Sequence, residues 1–126
     1  MEANLKEAIV EAEEFLQEAE WLFMGGFYRG LINRCYYSYF WIVRGLLAEH
    51  NINPKSHAGI HNKFGEIFIK TGEIPQHFNT YLVRLSQKRE KADYDLDDVH
   101  EKDDAIFALK MVKEFLEFTK EKYIIT

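Results

Sequence analysis

Apolar residues that return every three or four positions constrain this chain more than any other feature of its sequence. Leu5, Ala8, Ile9, Ala12, Phe15, Leu16, Ala19, Leu22 and Phe23 fall on one stripe of a helix whose remaining surface is rich in Glu. Gly25-Gly26 ends that run. From about Phe27 to Glu49 the chain is apolar almost all round. Ile32, Tyr36, Tyr39, Phe40, Val43, Leu46 and Leu47 form its main stripe, the pattern of a central helix surrounded by others. The stretch from Asn51 to Lys55 contains Pro54 and reads as loop. Ser56 can then cap a shorter third helix that buries Ile60, Phe64, Ile67 and Phe68, and Thr71-Gly72 closes it. Pro75 suits the first turn of a fourth helix with Phe78, Tyr81, Leu82 and Leu85 inward.

An acidic connection from Asp93 to Val99 follows. Asp98 and Glu101 have capping-box spacing, which opens a fifth helix running to about Lys122 with Ala105, Leu109, Val112 and Leu116 inward. Its Asp-rich start and Lys-rich end both suit the helix dipole. Tyr123-Ile124-Ile125 would fray or add a short contact. With two Pro and seven Gly in 126 residues, the breaks are few and the elements long. The pattern predicts an all-α fold, an antiparallel up-and-down bundle of about five helices, as one domain over residues 1–126.

Charge and composition narrow the function. The formal net charge of −5 opposes strong general binding of nucleic acid. The average hides a division, since residues 84–91 carry Arg84, Lys88, Arg89 and Lys91 against one Glu. A local basic face could still meet phosphate. No apolar run approaches the roughly 18 residues of a membrane span, the first segment is too polar for a signal peptide, and the single Cys35 allows no internal disulfide. A cytoplasmic location without membrane contact is the expectation. Aromatic residues make up 15%, more than a monomeric bundle of this size easily covers, which points to a homodimer.

Two sets of polar residues occupy positions that need a reason. Continuing the stripe through Phe78, Leu82 and Leu85 places Arg89 and Ala92 on the same inward face, with Asp93 four residues beyond Arg89 and Tyr94 next to it. An ion pair at that spacing contributes only about 0.2–0.5 kcal/mol, a weak reason to place a guanidinium inward. The alternatives are a pair that ties off the helix, or a cleft-lining Arg that holds phosphate by bidentate hydrogen bonds with Asp93 orienting it. On the central helix Arg34, Tyr37 and Ser38 share a second face beside Asn33. Arg34 either bridges to acids of the first helix or lies beside Arg89 across a groove.

Other features carry less. His57 and His61 have the i, i+4 spacing of shared metal ligands, but no third ligand is evident, and one near a cap and one on the surface is the simpler reading. Cys35 reads as a small core residue. Asp93, Asp95, Asp97 and Asp98 lack the Gly and closing Glu of a calcium loop. No metal and no cofactor are expected.

The segments Asn33-Arg34-Cys35-Tyr36-Tyr37-Ser38-Tyr39-Phe40, Lys55-Ser56-His57, Phe64 to Gly72, and Arg89-Glu90-Lys91-Ala92-Asp93-Tyr94 together resemble the HEPN domain, in particular the small stand-alone prokaryotic proteins of the UPF0332 group. The resemblance implies a helical bundle, usually a homodimer, often associated with a minimal nucleotidyltransferase in toxin–antitoxin pairs. It also implies a groove for a nucleotide or RNA phosphate, here lined by Arg34, Tyr37, Arg89, Asp93 and Tyr94. Many such proteins are metal-independent ribonucleases in which an Arg is followed four to six residues later by a His. This chain departs from that pattern, with Tyr94, Asp95 and Leu96 at those positions and no His until His100. The expectation is therefore a phosphate-binding module that cleaves RNA poorly. The rival readings are a ribonuclease with Arg89 and Asp93 as candidate catalytic residues and an unconventional acid–base group, and a purely structural partner.

Overall fold

The computed structural model describes residues 4–97 and 99–124. Its helices are α1 (Leu5–Met24), α2 (Tyr28–Glu49), α3 (His57–Phe64), α4 (Gln76–Tyr94) and α5 (Lys102–Tyr123), and the described residues contain no strand. Four long helices make the bundle, and α3 is a strap between α2 and α4. A wide π turn over Gly65–Ile69 prolongs α3 and keeps Phe68 buried.

Side-chain contacts fix the directions. The amide of Leu5, at the start of α1, donates to Glu49 at the end of α2. Lys120 pairs with Glu13 and Lys113 with Glu20, so α5 runs opposite to α1. Tyr81 with Glu114 and Lys88 with Asp104 set α4 against α5 in the same way. Asn33 with Asp93 and Tyr39 with Phe78 do so for α2 and α4. The result is the up-and-down arrangement that short connections favour.

Helix α2 is the hub, packing against α1, α3, α4 and α5. Its centre carries a largely aromatic core, with Tyr39 stacked on Phe115 at 4.2 Å between ring centroids and its hydroxyl donating to the Phe78 carbonyl at 2.6 Å. The hydroxyl of Ser38, fully buried, donates to the Ala12 carbonyl at 2.7 Å, so that polar position is satisfied within the α1–α2 contact.

The helix ends carry their own chemistry. Asn4 accepts from the Glu7 amide and Ser56 from the Gly59 amide, each satisfying a first-turn donor. The start of α5 differs from expectation: Glu101 is the cap and forms the capping box with Asp104, while Asp98 lies outside the described residues. Tyr123 does not fray, since its hydroxyl donates to Glu73 at 2.6 Å and Ile124 packs on the core; Ile125 lies outside the described residues. The carbonyls closing α4 are gathered by Arg29 of α2, whose guanidinium reaches those of Lys91, Ala92 and Asp95.

The α1–α2 contact is tightest at Gly45, where an added Cβ would lie 2.5 Å from the Ala8 Cβ and 3.3 Å from the Leu5 Cα. Gly45→Ala therefore forces these helices apart and should destabilise the domain by about 1–3 kcal/mol. Gly65 has helical backbone and open space where a Cβ would stand. Gly65→Ala should be neutral or stabilising by up to about 1 kcal/mol. Thermal melts of the two variants check the contrast.

Candidate functional site

Arg89 ends the buried face of α4 that runs through Phe78, Leu82 and Leu85, with Ala92 buried one turn on. Its side chain is only 12% exposed, and its Nε is buried without a hydrogen-bond partner. The guanidinium carbon lies 4.8 Å from the ring centroid of Tyr36 and 5.9 Å from that of Tyr37. Such cation–π contact stabilises a desolvated cation by about 2 kcal/mol. The nearest acid is Asp93, at 3.5 Å from one terminal nitrogen. One long ion pair occupies little of a group with five N–H donors.

Asp93 is held from the other side by Asn33, whose amide donates to both carboxylate oxygens at 3.2 and 3.3 Å. The Asn33 carbonyl accepts from Arg34 at 2.7 Å, and Arg34 also pairs with Glu18 of α1 at 2.6 Å. Arg34 thus bridges to the first helix and, through Asn33 and Asp93, joins the network that reaches Arg89. Tyr37 packs edge-on against Tyr36 at 5.1 Å and sits beneath the Arg89 guanidinium. Tyr94 is separate. It is 79% exposed on the surface at the end of α4.

The third wall of the site comes from α3. The Tyr36 ring is completely buried, and its hydroxyl lies 2.9 Å from His57 Nδ1 and 3.0 Å from His61 Nε2. Ser86 and Arg89 of α4 lie close enough to favour the charged form of the same oxygen. His57 is stacked on Phe40 at 4.3 Å, which fixes the plane of its ring. Sequence reading saw the i, i+4 spacing of these histidines but not their destination. The available signal was Tyr36, a hydroxyl on an inward stripe that required polar partners. Among the described residues no group of three or more His, Cys, Asp or Glu could hold a metal ion.

The electrostatics follow from burial beside a fixed cation. Burial pushes the Tyr36 phenol up to about 12, outweighing the lowering effect of Arg89. Burial also lowers both imidazoles below the usual histidine value. Arg89 and Arg44 lower His57 further; His57 and Arg89 do the same for His61, against a raising effect from Glu90. Both rings are therefore neutral at pH 7. Cys35, buried in the core, has its thiol pushed up to about 12 and is inert as a nucleophile.

Comparison with known proteins places this sequence in a family. The sequence profile of the HEPN domain matches residues 5–123. A candidate toxin of Methanocaldococcus jannaschii is 37% identical over 123 residues, covering 98% of this chain and 83% of that protein. A second candidate toxin of the same organism is 38% identical over 92 residues, covering 72% of this chain and 69% of its own length. A UPF0332 protein of Thermotoga maritima is 30% identical over 96 residues, covering 72% and 73%.

Because the folded-state values of both histidines are depressed, their titration costs the fold nothing while they are neutral in the unfolded chain as well. As pH falls through about 6.5, the unfolded chain takes up protons that the native site refuses, and stability declines until the native histidines also titrate. The melting temperature should therefore fall between pH 7.5 and pH 5. The double variant His57→Gln/His61→Gln should flatten that dependence, as read by calorimetry across the range.

Proposed function

The chain belongs to the HEPN family, and from that premise we propose that it binds a phosphate of a nucleotide or RNA strand at Arg89, as part of a toxin-type pair. One observation carries the reading: an arginine side chain nearly nine-tenths buried, its guanidinium resting on two aromatic rings, with its Nε unpartnered and one long ion pair. Such a group is matched by an oxyanion that accepts two parallel N–H bonds. Asp93, held by Asn33, orients the fork, and Tyr37 supplies an aromatic surface beside it. Arg34 sets the far end of the network, and Tyr94, exposed at the end of α4, offers a ring for a base or a partner.

The toxin role is supported by the names of the two archaeal relatives. A minimal nucleotidyltransferase is the partner that the family resemblance implies. The reading also includes a homodimer. Exposed apolar side chains gather at one end of the bundle, with Trp21, Met24 and Phe27 around the α1–α2 turn and Tyr94, Leu96 and Val99 around the α4–α5 connection. Phe27 of that turn and His100, which follows Val99 in the chain, line one common cleft.

Titrating a fluorescent single-stranded RNA into the protein tests the site. Charge-assisted hydrogen bonds contribute about 1.5–3 kcal/mol each, so Arg89→Ala should weaken binding roughly tenfold to a hundredfold. Arg89→Lys should restore only part of it, because an ammonium lacks the planar fork. Affinity should also drop as salt rises. Equal affinity in wild type and both variants would leave Arg89 a structural residue. For assembly, light scattering should give twice the monomer mass for the wild type, and Trp21→Glu/Phe27→Glu should return it to the monomer. A wild-type mass that stays at one chain over all concentrations would remove the dimer.

A further inference from the structure

We propose that the groove between α4 and α5 is a docking surface for an acidic amphipathic helix of a partner protein. It lies on a different face of α4 from Arg89 and does not depend on the phosphate reading of that residue.

The packing of the bundle creates the groove. Helices α4 and α5 both lie along α2 but meet one another at few places. Tyr81 with Glu114 and Lys88 with Asp104 are the hydrogen bonds that join them. Beside these contacts runs a groove of about 360 Å³. Its floor is Ile32 of α2, Leu85 of α4, and Ala108 and Met111 of α5, all buried. A gap between two helices above a third is where a further helix seats in a bundle, its side-chain ridge entering the groove.

The two walls differ in character. Along α4, Arg84, Lys88 and Lys91 line the groove at steps of four and three residues, one stripe of that helix about 10 Å long. Along α5 the accessible side chain is Phe107, 39% exposed. Asp104 is the one acid among the lining residues. It is already engaged by Lys88 at 3.2 Å and by the Glu101 amide at 3.0 Å. A cationic wall of this kind runs against the formal net charge of −5 that the whole chain carries.

An occupant must answer both walls at once. A helix with acids at matching spacing sets carboxylates against Arg84 and Lys91, on either side of the Lys88 that Asp104 shares, while an apolar row one face round meets Phe107. A strand of nucleic acid would answer the cations but not the other wall. The Phe107 ring carries Arg84 at 6.0 Å and Lys110 at 5.8 Å from its centroid, so cations cover it where a base would stack.

The groove is separate from the phosphate site even though Lys88 and Arg89 are neighbours in sequence. One residue of helix is a turn of about 100°. Arg89 points to Tyr36 and Tyr37 of α2, while Lys88 faces Asp104 of α5. A helix in the groove and a phosphate on Arg89 therefore occupy different faces of α4.

The test uses the full chain and fluorescence anisotropy with a labelled synthetic peptide of about 15 residues, the length at which an isolated helix begins to hold in water. The peptide carries Glu on one stripe, at the spacing of Arg84, Lys88 and Lys91, and Leu on the next; a control carries Lys in place of Glu. Wild type should bind the acidic peptide more tightly than the control, the reverse of what its net charge alone would give. Arg84→Glu/Lys91→Glu should weaken the acidic peptide about tenfold and bind the basic one more tightly than wild type does. Phe107→Ala should weaken the acidic peptide about fivefold. Arg89→Ala should leave it unchanged, so docking and phosphate binding are read apart. Circular dichroism verifies folding, and Arg84→Gln/Lys91→Gln replaces the reversed pair should that variant not fold. Equal binding of the two peptides, preference for the basic one, or full affinity in a folded groove variant would overturn the proposal. So would displacement of the peptide by single-stranded RNA from Arg89→Ala as readily as from wild type, which would make the groove a nucleic-acid surface. A fall in the chain's own mass by light scattering on reversing Arg84 and Lys91 would overturn it in favour of a second copy of the chain.

Discussion

A phenol hydroxyl inside an aromatic core must find polar partners, and the partners of Tyr36 tie this bundle together. The ring is completely buried on α2, yet its oxygen meets His57 and His61 from α3, while the Arg89 guanidinium of α4 lies over the ring. Leaving that oxygen unsatisfied would cost about 1–3 kcal/mol, comparable to losing a buried methylene or two. The strap α3 is short and could not hold a fixed position by its own helical propensity. Its register against α2 is set by two imidazoles on one hydroxyl, together with Ile60, Phe64 and Phe68 in the core.

The same arrangement explains how a cation survives where Arg89 sits. Two aromatic faces replace part of its hydration, and Asp93 supplies a counter-charge. Asp93 is not spent on Arg89 alone, because Asn33 binds both of its oxygens. At the outer end, Arg34 and Glu18 are 40% and 53% exposed, so that pair positions the network more than it stabilises the fold. The interior end keeps unused donors.

The bundle was legible because the 3.6-residue period leaves its mark on every long helix. The stripe from Phe78 to Leu85 even located Arg89 on the inward face, and four-residue spacing gave Asp93 as its neighbour. What periodicity cannot express is which surface a face meets. His57 and His61 were known to share a side of α3, but only the packed structure brings that side onto Tyr36. Tyr94 illustrates the opposite limit. One residue along a helix is a turn of about 100°, so adjacency to Asp93 in sequence does not bring its ring into the same network. The α5 cap fell at Glu101 because acidic residues crowd that connection, and spacing alone does not choose among them.

The antiparallel layout has a consequence for how the protein comes to life. Tyr36 meets His57 and His61 across 21 and 25 residues, and Asn33 meets Asp93 across 60. None of these contacts exists in a chain that has formed only its local helices, since each requires a loop to close first. While synthesis has delivered α1 and α2 alone, the aromatic platform has neither its imidazoles nor its guanidinium. Whatever chemistry the site performs, it is withheld from the ribosome-bound chain until α4 has emerged and docked.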